Sequence, residues 1–445
     1  MISIKQGRKK TRKATLLTLS ILFASSHIYA QEVAAGVYDA VVAADASGDY
    51  TSIQKAIDHA PSNRTEPYLI FVKSGDYKEV LVVPEDKPHI HLIGQDKDKT
   101  VIHYKLNVQG QPKEDSKWFQ NDTAAWKYSV HNPEAEVYRY PGTMTSIEAS
   151  DFYAENLSFI NDWGVESQNG PQALAIWVQA DRNAFNNCVF RSFQDTWRTS
   201  KKSDHRLYAS NCWIEGAVDY FYGGGNAYVE HSTFYNVRSG SVIIAPKQLE
   251  ETPWGYVFDH CIIDGNAAAA DGKQLLGRPW GDRPKAVFLN TITKIPLAPQ
   301  GWTDMGGLPI VFADYKTVDA SGKPVDTDKR KTQFTNRNNQ ETLVSKAVLT
   351  DEEAARYTYN NVLSGTDNWN PRAMIAALEK PVLSRSGKQL IWTTVADAKG
   401  YVLLKGEQVI AFSSGNNYTI EGQGNYQVQA VSASGSLGPK SDPCQ

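Results

Sequence analysis

Short apolar runs at close but uneven spacing dominate the chain from residue 40 to about 320. Tyr68 to Val72, Val80 to Val83, His89 to Ile93 and Thr100 to Ile102 are three to five residues long and rich in β-branched side chains, which predicts strands. From Phe152 onward the pattern sharpens. Phe152 to Phe159, Asn187 to Phe190, Asn211 to Ile214, Glu230 to Phe234 and Asp259 to Ile263 share one texture and follow one another at uneven intervals. Intervals on the order of 20 to 50 residues are the mark of units that bury a face by stacking on their neighbours. No run of ten or more residues between them has a helical period. Parallel strands normally need helical crossovers, so strands stacked without helices predict a parallel β-helix.

The flanks read differently. Ser47 to Ser52 leads into Ile53, Ala56, Ile57 and Ala60, one amphipathic helix that Pro61 ends and that would cap the open end of the coil. Trp118, Trp126, Tyr128 and Tyr138 lie in a polar, aromatic excursion from the coil, suited equally to sugar binding and to packing of a long loop. Thr350-Asp351-Glu352-Glu353 is a capping box for a helix running to about Val362, and Pro371 suits the start of a short helix to Glu379. Beyond Pro381, short alternating strands recur with turns, and Trp392 and Tyr426 stand where a sandwich core would need them. This tail resembles a small fibronectin type III β-sandwich. The expected fold class is therefore all-β, with a parallel β-helix over residues 31–380 and a sandwich over 381–445.

Residues 1–30 stand apart. A basic start, the apolar run Ala14 to Ala24 and a small residue at Ala30 describe a secretory signal peptide, so a secreted or periplasmic protein is expected. The apolar run is too short to span a membrane, and no other run approaches about 18 residues. The leader holds six of the 46 Lys and Arg and none of the 49 Asp and Glu, which leaves the rest with nine more acids than bases. Nothing in that balance suggests a nucleic-acid partner, which would favour a basic surface. An anionic polymer remains possible through a local patch, and a monomer is expected.

One segment carries the chemistry. Asn187-Cys188 recurs as Asn211-Cys212, and at the same offset after each cysteine comes an aspartate, Asp195 and Asp219. If the copies stack, the carboxyls stack about 4.8 Å apart, cannot both ionise easily and split their pKa values into a charged nucleophile and a neutral acid. Gln172 and Gln194 offer neutral donors to a developing oxyanion, Arg278 a bidentate partner for the ionised aspartate, and Trp280 a face for a sugar ring. The cysteines permit a Cys188–Cys212 disulfide; two small buried residues in a ladder is the other reading. His89 and His91 are strand-spaced like a metal pair, but no further ligand cluster accompanies them, so neither metal nor cofactor is expected. Asn187 and Asn211 suit a structural amide ladder. Gly75 to Glu79 reads as architectural.

Five motifs in order, Gly75-Asp76-Tyr77-Lys78-Glu79, Gln172-Ala173, Gln194-Asp195-Thr196, Gly216 to Gly223 and Leu276 to Trp280, resemble the pectin methylesterases of the pectinesterase family from about Val42 to Pro371. The resemblance implies a right-handed coil with an open cleft and methyl-esterified pectin as substrate. It implies Asp219 as nucleophile, Asp195 as acid and then base, and Gln172 and Gln194 as the oxyanion hole. Arg278 would orient Asp219, and Trp280 would contact sugar. The chain departs from the family pattern at Tyr220-Phe221-Tyr222 and at Trp197, so Tyr222 and Trp197 are expected on the cleft walls in contact with substrate. Rival readings are a pectate lyase or polygalacturonase on the same coil, an esterase for another substrate, and a pectin-binding β-helix without turnover. The calcium-binding acidic cluster of a lyase and the closely spaced aspartates of a galacturonase are not visible in the sequence.

Overall fold

The computed structural model describes residues 36–109, 123–127 and 142–445. The leader expected at 1–30, and Trp118, Tyr128 and Tyr138, lie outside the described residues; Trp126 is half-buried in the short helix Thr123–Lys127. The chain winds as a right-handed parallel β-helix, and its turns build three parallel sheets of 11, 9 and 7 strands. Along one column, Tyr153 pairs with Ala184, Ala184 with Tyr208, Tyr208 with Tyr228 and Tyr228 with Val257. These steps reproduce the uneven intervals of the sequence pattern one for one.

Six successive corners between the 11- and 9-stranded sheets, from residue 156 to 290, pivot on one left-handed residue each: Asn156, Asn187, Asn211, His231, His260 and Asn290 all have φ between 49° and 58°. Asparagine tolerates this conformation because its short polar side chain bonds locally. The pivot splits the run Phe152 to Phe159 into two strands, Tyr153–Glu155 and Ser158–Asn161. The amides ladder as expected, Asn187 Nδ2 donating to Asn156 Oδ1 at 2.6 Å, while Asn211 Nδ2 donates instead to Asn186 Oδ1 at 3.0 Å.

Inside the coil, like side chains stack on like. Phe159 and Phe190 lie parallel at 5.3 Å, and Phe258 and Phe288 at 4.5 Å. Cys188, Cys212 and Cys261 join this ladder as buried free thiols, so the possible Cys188–Cys212 disulfide is not formed. Each Sγ turns to a carbonyl of its own strand, Cys188 to Asn186 and Cys212 to Ser210, and the ladder of small buried residues is the reading that holds. His91 is buried with Nδ1 on Ser434 O, and no group of three or more His, Cys, Asp or Glu among the described residues could hold a metal.

The ends are closed. Ser52 caps the helix Ile53–His59, and the Glu79 carboxylate accepts from the N–H groups of Ile53 at 2.8 Å and Gln54 at 3.0 Å. Gly75 to Glu79 is thus part of the architecture. The Thr350 capping box forms, but its helix covers only Asp351–Ala354; Thr358 caps a separate helix, Tyr359–Leu363. The segment after Asn370 makes one 3₁₀ turn, Pro371–Met374, and no longer helix. No helix among the described residues is long and apolar enough to cross a membrane.

The C-terminal strands form a three-stranded and a four-stranded antiparallel sheet around Trp392, Tyr401, Leu403 and Tyr426. This sandwich does not hang free. Val402, Leu404, Phe412 and Val431 join the apolar cluster on the outer face of the 11-stranded sheet, which includes Tyr38, Phe71, Ile93 and Tyr153. Phe412 lies 5.5 Å from Tyr38 and 5.2 Å from Phe71, and the Tyr38 hydroxyl donates to Gly435 O at 2.6 Å. Each large apolar side chain buried there is worth about 1.5–3 kcal/mol. A chain ending at Glu379 is therefore expected to lose several kcal/mol and to melt well below the full-length protein. An unchanged melting curve would show that the docking does not support the coil.

Candidate active site

The seven-stranded sheet carries one column of outward side chains. Ser146, Trp177, Arg198, Tyr222 and Ala245 are successive partners on neighbouring strands. Gly277 pairs with Ile244, so Arg278 takes the next place after Ala245. A Cβ on Gly277 would lie 2.4 Å from Ile244 Cγ1 and 2.8 Å from Ile244 O; only glycine allows that approach. Ala245 is small enough for Arg278 to reach across it.

The two aspartates stack as the repeat requires. Gln194 bridges Val218 and Trp197 pairs with Phe221, which brings Asp195 beside Asp219. Both acids are left-handed, with φ of 65° and 51°. At Asp219 the strand Val218–Gly223 also carries a bulge: Val218 pairs with Val242 but Phe221 with Ile244, which leaves one extra residue between them. Such irregularities re-aim side chains. Here each aspartate turns to the cleft and the next two residues, Thr196 and Trp197 or Tyr220 and Phe221, are both fully buried. Gly216 makes room beneath, since a Cβ there would meet Tyr220 Cβ at 2.3 Å.

This change of parity corrects one expectation. Trp197 is not on the cleft wall. It is 0% exposed and packs inside the coil, 4.1 Å from Phe190, 5.0 Å from Phe185 and 5.4 Å from Phe221. Simple alternation from Asp195 would have turned it outward; the left-handed backbone shifts the alternation by one. The residue that does face the cleft is Arg198, which the sequence reading passed over, together with Trp177 and Met305. The left-handed backbone at Asp195, which the sequence pattern does not reveal, is what turns Arg198 to the cleft.

The remaining site residues come together. Gln172, Gln194, Asp195, Asp219, Tyr222, Arg278 and Trp280 line one open pocket of about 230 Å³. Trp280 meets Tyr222 edge-on at 5.6 Å. Arg278 grips Asp219 with both arms, Nε to Oδ1 at 2.8 Å and Nη2 to Oδ2 at 2.7 Å. Asp195 and Asp219 are 8% and 6% exposed, so neither charge is well hydrated. Burial and the neighbouring Asp219 charge, against a weaker downward pull from Tyr222, push the Asp195 pKa up to about 8. Burial raises Asp219 as well, against the hydrogen bonds and charge of Arg278. The pair therefore keeps one proton across neutral pH, on the carboxyl without the guanidinium fork. One carboxylate held by a guanidinium thus stands beside one protonated carboxyl, with two side-chain amides in the same pocket.

A buried proton has a stability signature. Asp195 keeps its proton to about pH 8 in the fold but would lose it in the ordinary carboxylate range when unfolded, so stability falls as pH rises between the two. Asp195→Asn removes the charge without changing the shape. The variant should melt above the wild type at pH 8, and the gap should close toward about pH 4. A gap independent of pH in paired melting curves would contradict the assignment of the proton.

A family profile described as Pectinesterase matches residues 39–128 and 128–366, and so ends before the sandwich strands begin. Pectinesterase 31 of Arabidopsis thaliana is 32% identical over 271 residues, 60% of this chain and 76% of that protein. The Pectinesterase of Petunia integrifolia is 26% identical over 351 residues, 76% of this chain and 82% of its own length. Among solved structures, the pectin methylesterase from carrot superposes with a TM-score of 0.59 at 22% identity, covering 76% of this chain and 97% of that one. The pectin methylesterase PemA from Erwinia chrysanthemi gives 0.55 at 22%, covering 75% and 98%. At that identity the two structures establish a shared coil.

Proposed function

The chain belongs to the pectinesterase family, and from that premise we propose that it removes methyl esters from pectin, giving pectate and methanol, with an aspartate nucleophile and an aspartate acid–base. The observation that carries this reading is the bidentate hold of Arg278 on Asp219 beside the protonated Asp195. In the first step an Asp219 oxygen attacks the ester carbonyl carbon, and the oxyanion forms against the amides of Gln172 and Gln194. Asp195 gives its proton to the methoxy oxygen as the C–O bond breaks, and methanol leaves. What remains is an anhydride between Asp219 and the sugar carboxyl. In the second step the Asp195 carboxylate takes a proton from water, whose oxygen attacks the sugar's acyl carbon and frees Asp219. Trp280 and Tyr222 hold the sugar in place.

We read residues 31–380 as the catalytic coil and 381–445 as a fibronectin type III-like accessory, a division supported by the change from parallel to antiparallel sheets. The basic and apolar leader at 1–30 supports export to the periplasm or beyond, and the protein is read as a monomer. Activity on an ester other than the methyl ester of pectin is the second reading.

Methanol release from highly methylated pectin tests the mechanism. Wild type should release it, and Asp219→Asn should lower kcat/KM by at least about a hundredfold. Equal rates in the two proteins would sink the assignment of the nucleophile. A chelator should leave the rate unchanged. The pH profile of kcat/KM should fall on the alkaline side near about 8, where Asp195 loses its proton, and on the acid side where Asp219 gains one.

A further inference from the structure

Away from the pocket, the nine-stranded sheet holds a histidine between two carboxylates. His103 lies on the strand Thr100–Tyr104, paired with Lys78 on one side and Ile160 on the other. Its Nδ1 is 2.6 Å from Asp162 Oδ2, and its Nε2 is 2.6 Å from Asp76 Oδ1. An ionised carboxylate only accepts and a neutral imidazole has one N–H, so the two contacts together call for the imidazolium. The Asp162 hydrogen bond above all, with the charges of Asp162 and Asp76 behind it, raises the His103 pKa against burial.

What His103 grips is the start of the short helix Asp162–Ser167. Asn161 caps that helix, accepting from the Trp163 N–H at 3.1 Å while its own Nδ2 donates to Leu174 O at 3.0 Å. Lys105 pairs with Glu166 at 2.7 Å near the far end, but both are exposed and such a pair is worth little. The helix bears on the strand end before Gln194. Its Gly164 lies so close that a Cβ would be 2.0 Å from Ser192 Oγ and 2.6 Å from Phe193 N. Ser192 Oγ donates to Ala173 O at 2.6 Å, and the Ala173 N–H donates to Gln194 O at 3.1 Å. From its left-handed cap at Gln168 the chain reaches Gln172 in one short loop. The helix therefore sets the place of Gln172 twice, through the loop and through Ser192.

We propose that His103 is a positioning residue: by clasping Asp162 and Asp76 it seats the helix Asp162–Ser167 against Ser192, and so holds the Gln172 amide where the oxyanion develops. This rests on the pectinesterase reading and its role for Gln172. His103 stands on the nine-stranded sheet and does not line the pocket, so it acts only through the helix. An amide aimed at developing charge gains strength in the transition state, and its misplacement is felt in kcat rather than KM. The clasp also gives a use to Asp76, the exposed side chain of the otherwise architectural segment Gly75 to Glu79.

The test follows methanol release from highly methylated pectin by His103→Ala, Gln172→Ala and the double variant. His103→Ala should lower kcat at least about tenfold and leave KM within about twofold. In the Gln172→Ala background the same change should lower kcat less than about twofold, because the amide it aligns is already gone. An equal loss in both backgrounds, a loss confined to KM, or an unchanged kcat would each overturn the proposal. Should His103→Ala fail to fold, Asp76→Ala decides, since that side chain is 78% exposed and its loss leaves the core intact. It should lower kcat in the same sense, and wild-type turnover would overturn the clasp. Amide hydrogen exchange over residues 162–173 should quicken in whichever variant folds, and unchanged exchange would overturn the proposal without reference to turnover. No methanol from the wild type would strike at the esterase reading itself, and the exchange result would still judge the clasp.

Discussion

Two carboxyls on adjacent turns of a parallel coil, both out of water, cannot both be charged. In-register stacking sets this constraint, because residues at the same place in successive turns lie about one strand spacing apart, roughly 4.8 Å. Asp195 and Asp219 are such a pair, and the asymmetry between them comes from a third turn. Arg278 reaches across Ala245 and closes both arms on Asp219. The remaining proton then belongs to Asp195, where burial and the Asp219 charge hold it to about pH 8. Two identical side chains thus come to differ in charge by the placement of one arginine.

The same backbone device serves structure and chemistry. Left-handed residues pivot the chain at successive corners between the two larger sheets, where asparagine and histidine at 156, 187, 211, 231, 260 and 290 turn the backbone away from the cleft. At Asp195 and Asp219 the left-handed turn instead swings a carboxyl outward and sends the following aromatic, Trp197 or Phe221, into the core. The acids are therefore anchored by the packing beneath them. Trp197 wedged against Phe190 and Phe185 fixes the floor on which Asp195 stands, although it does not line the pocket.

The sandwich covers a face that the coil cannot leave bare. An outer face carrying Phe71, Ile93 and Tyr153 is too apolar for water, and Phe412, Val431 and Leu404 cover it. The pocket opens on the seven-stranded sheet and this contact is made on the 11-stranded one, so the sandwich and the pocket are on different sheets of one coil.

Much of this was legible in the chain itself. The length of each turn was visible in the spacing of the apolar runs, and the equal offsets from Cys188 to Asp195 and from Cys212 to Asp219 foretold the stacked acids. Repeats are legible because each turn makes the same local demand on its neighbours. What the sequence could not determine was direction. One left-handed residue reverses the alternation of a strand, and Trp197 and Arg198 exchange inside for outside at Asp195. Likewise, stacked cysteines do not reveal whether their sulfurs turn to each other or to their own carbonyls, and apolar strands do not reveal which sheet they will cover. Those outcomes depend on contacts between residues far apart in the chain, so only the tertiary structure decides them.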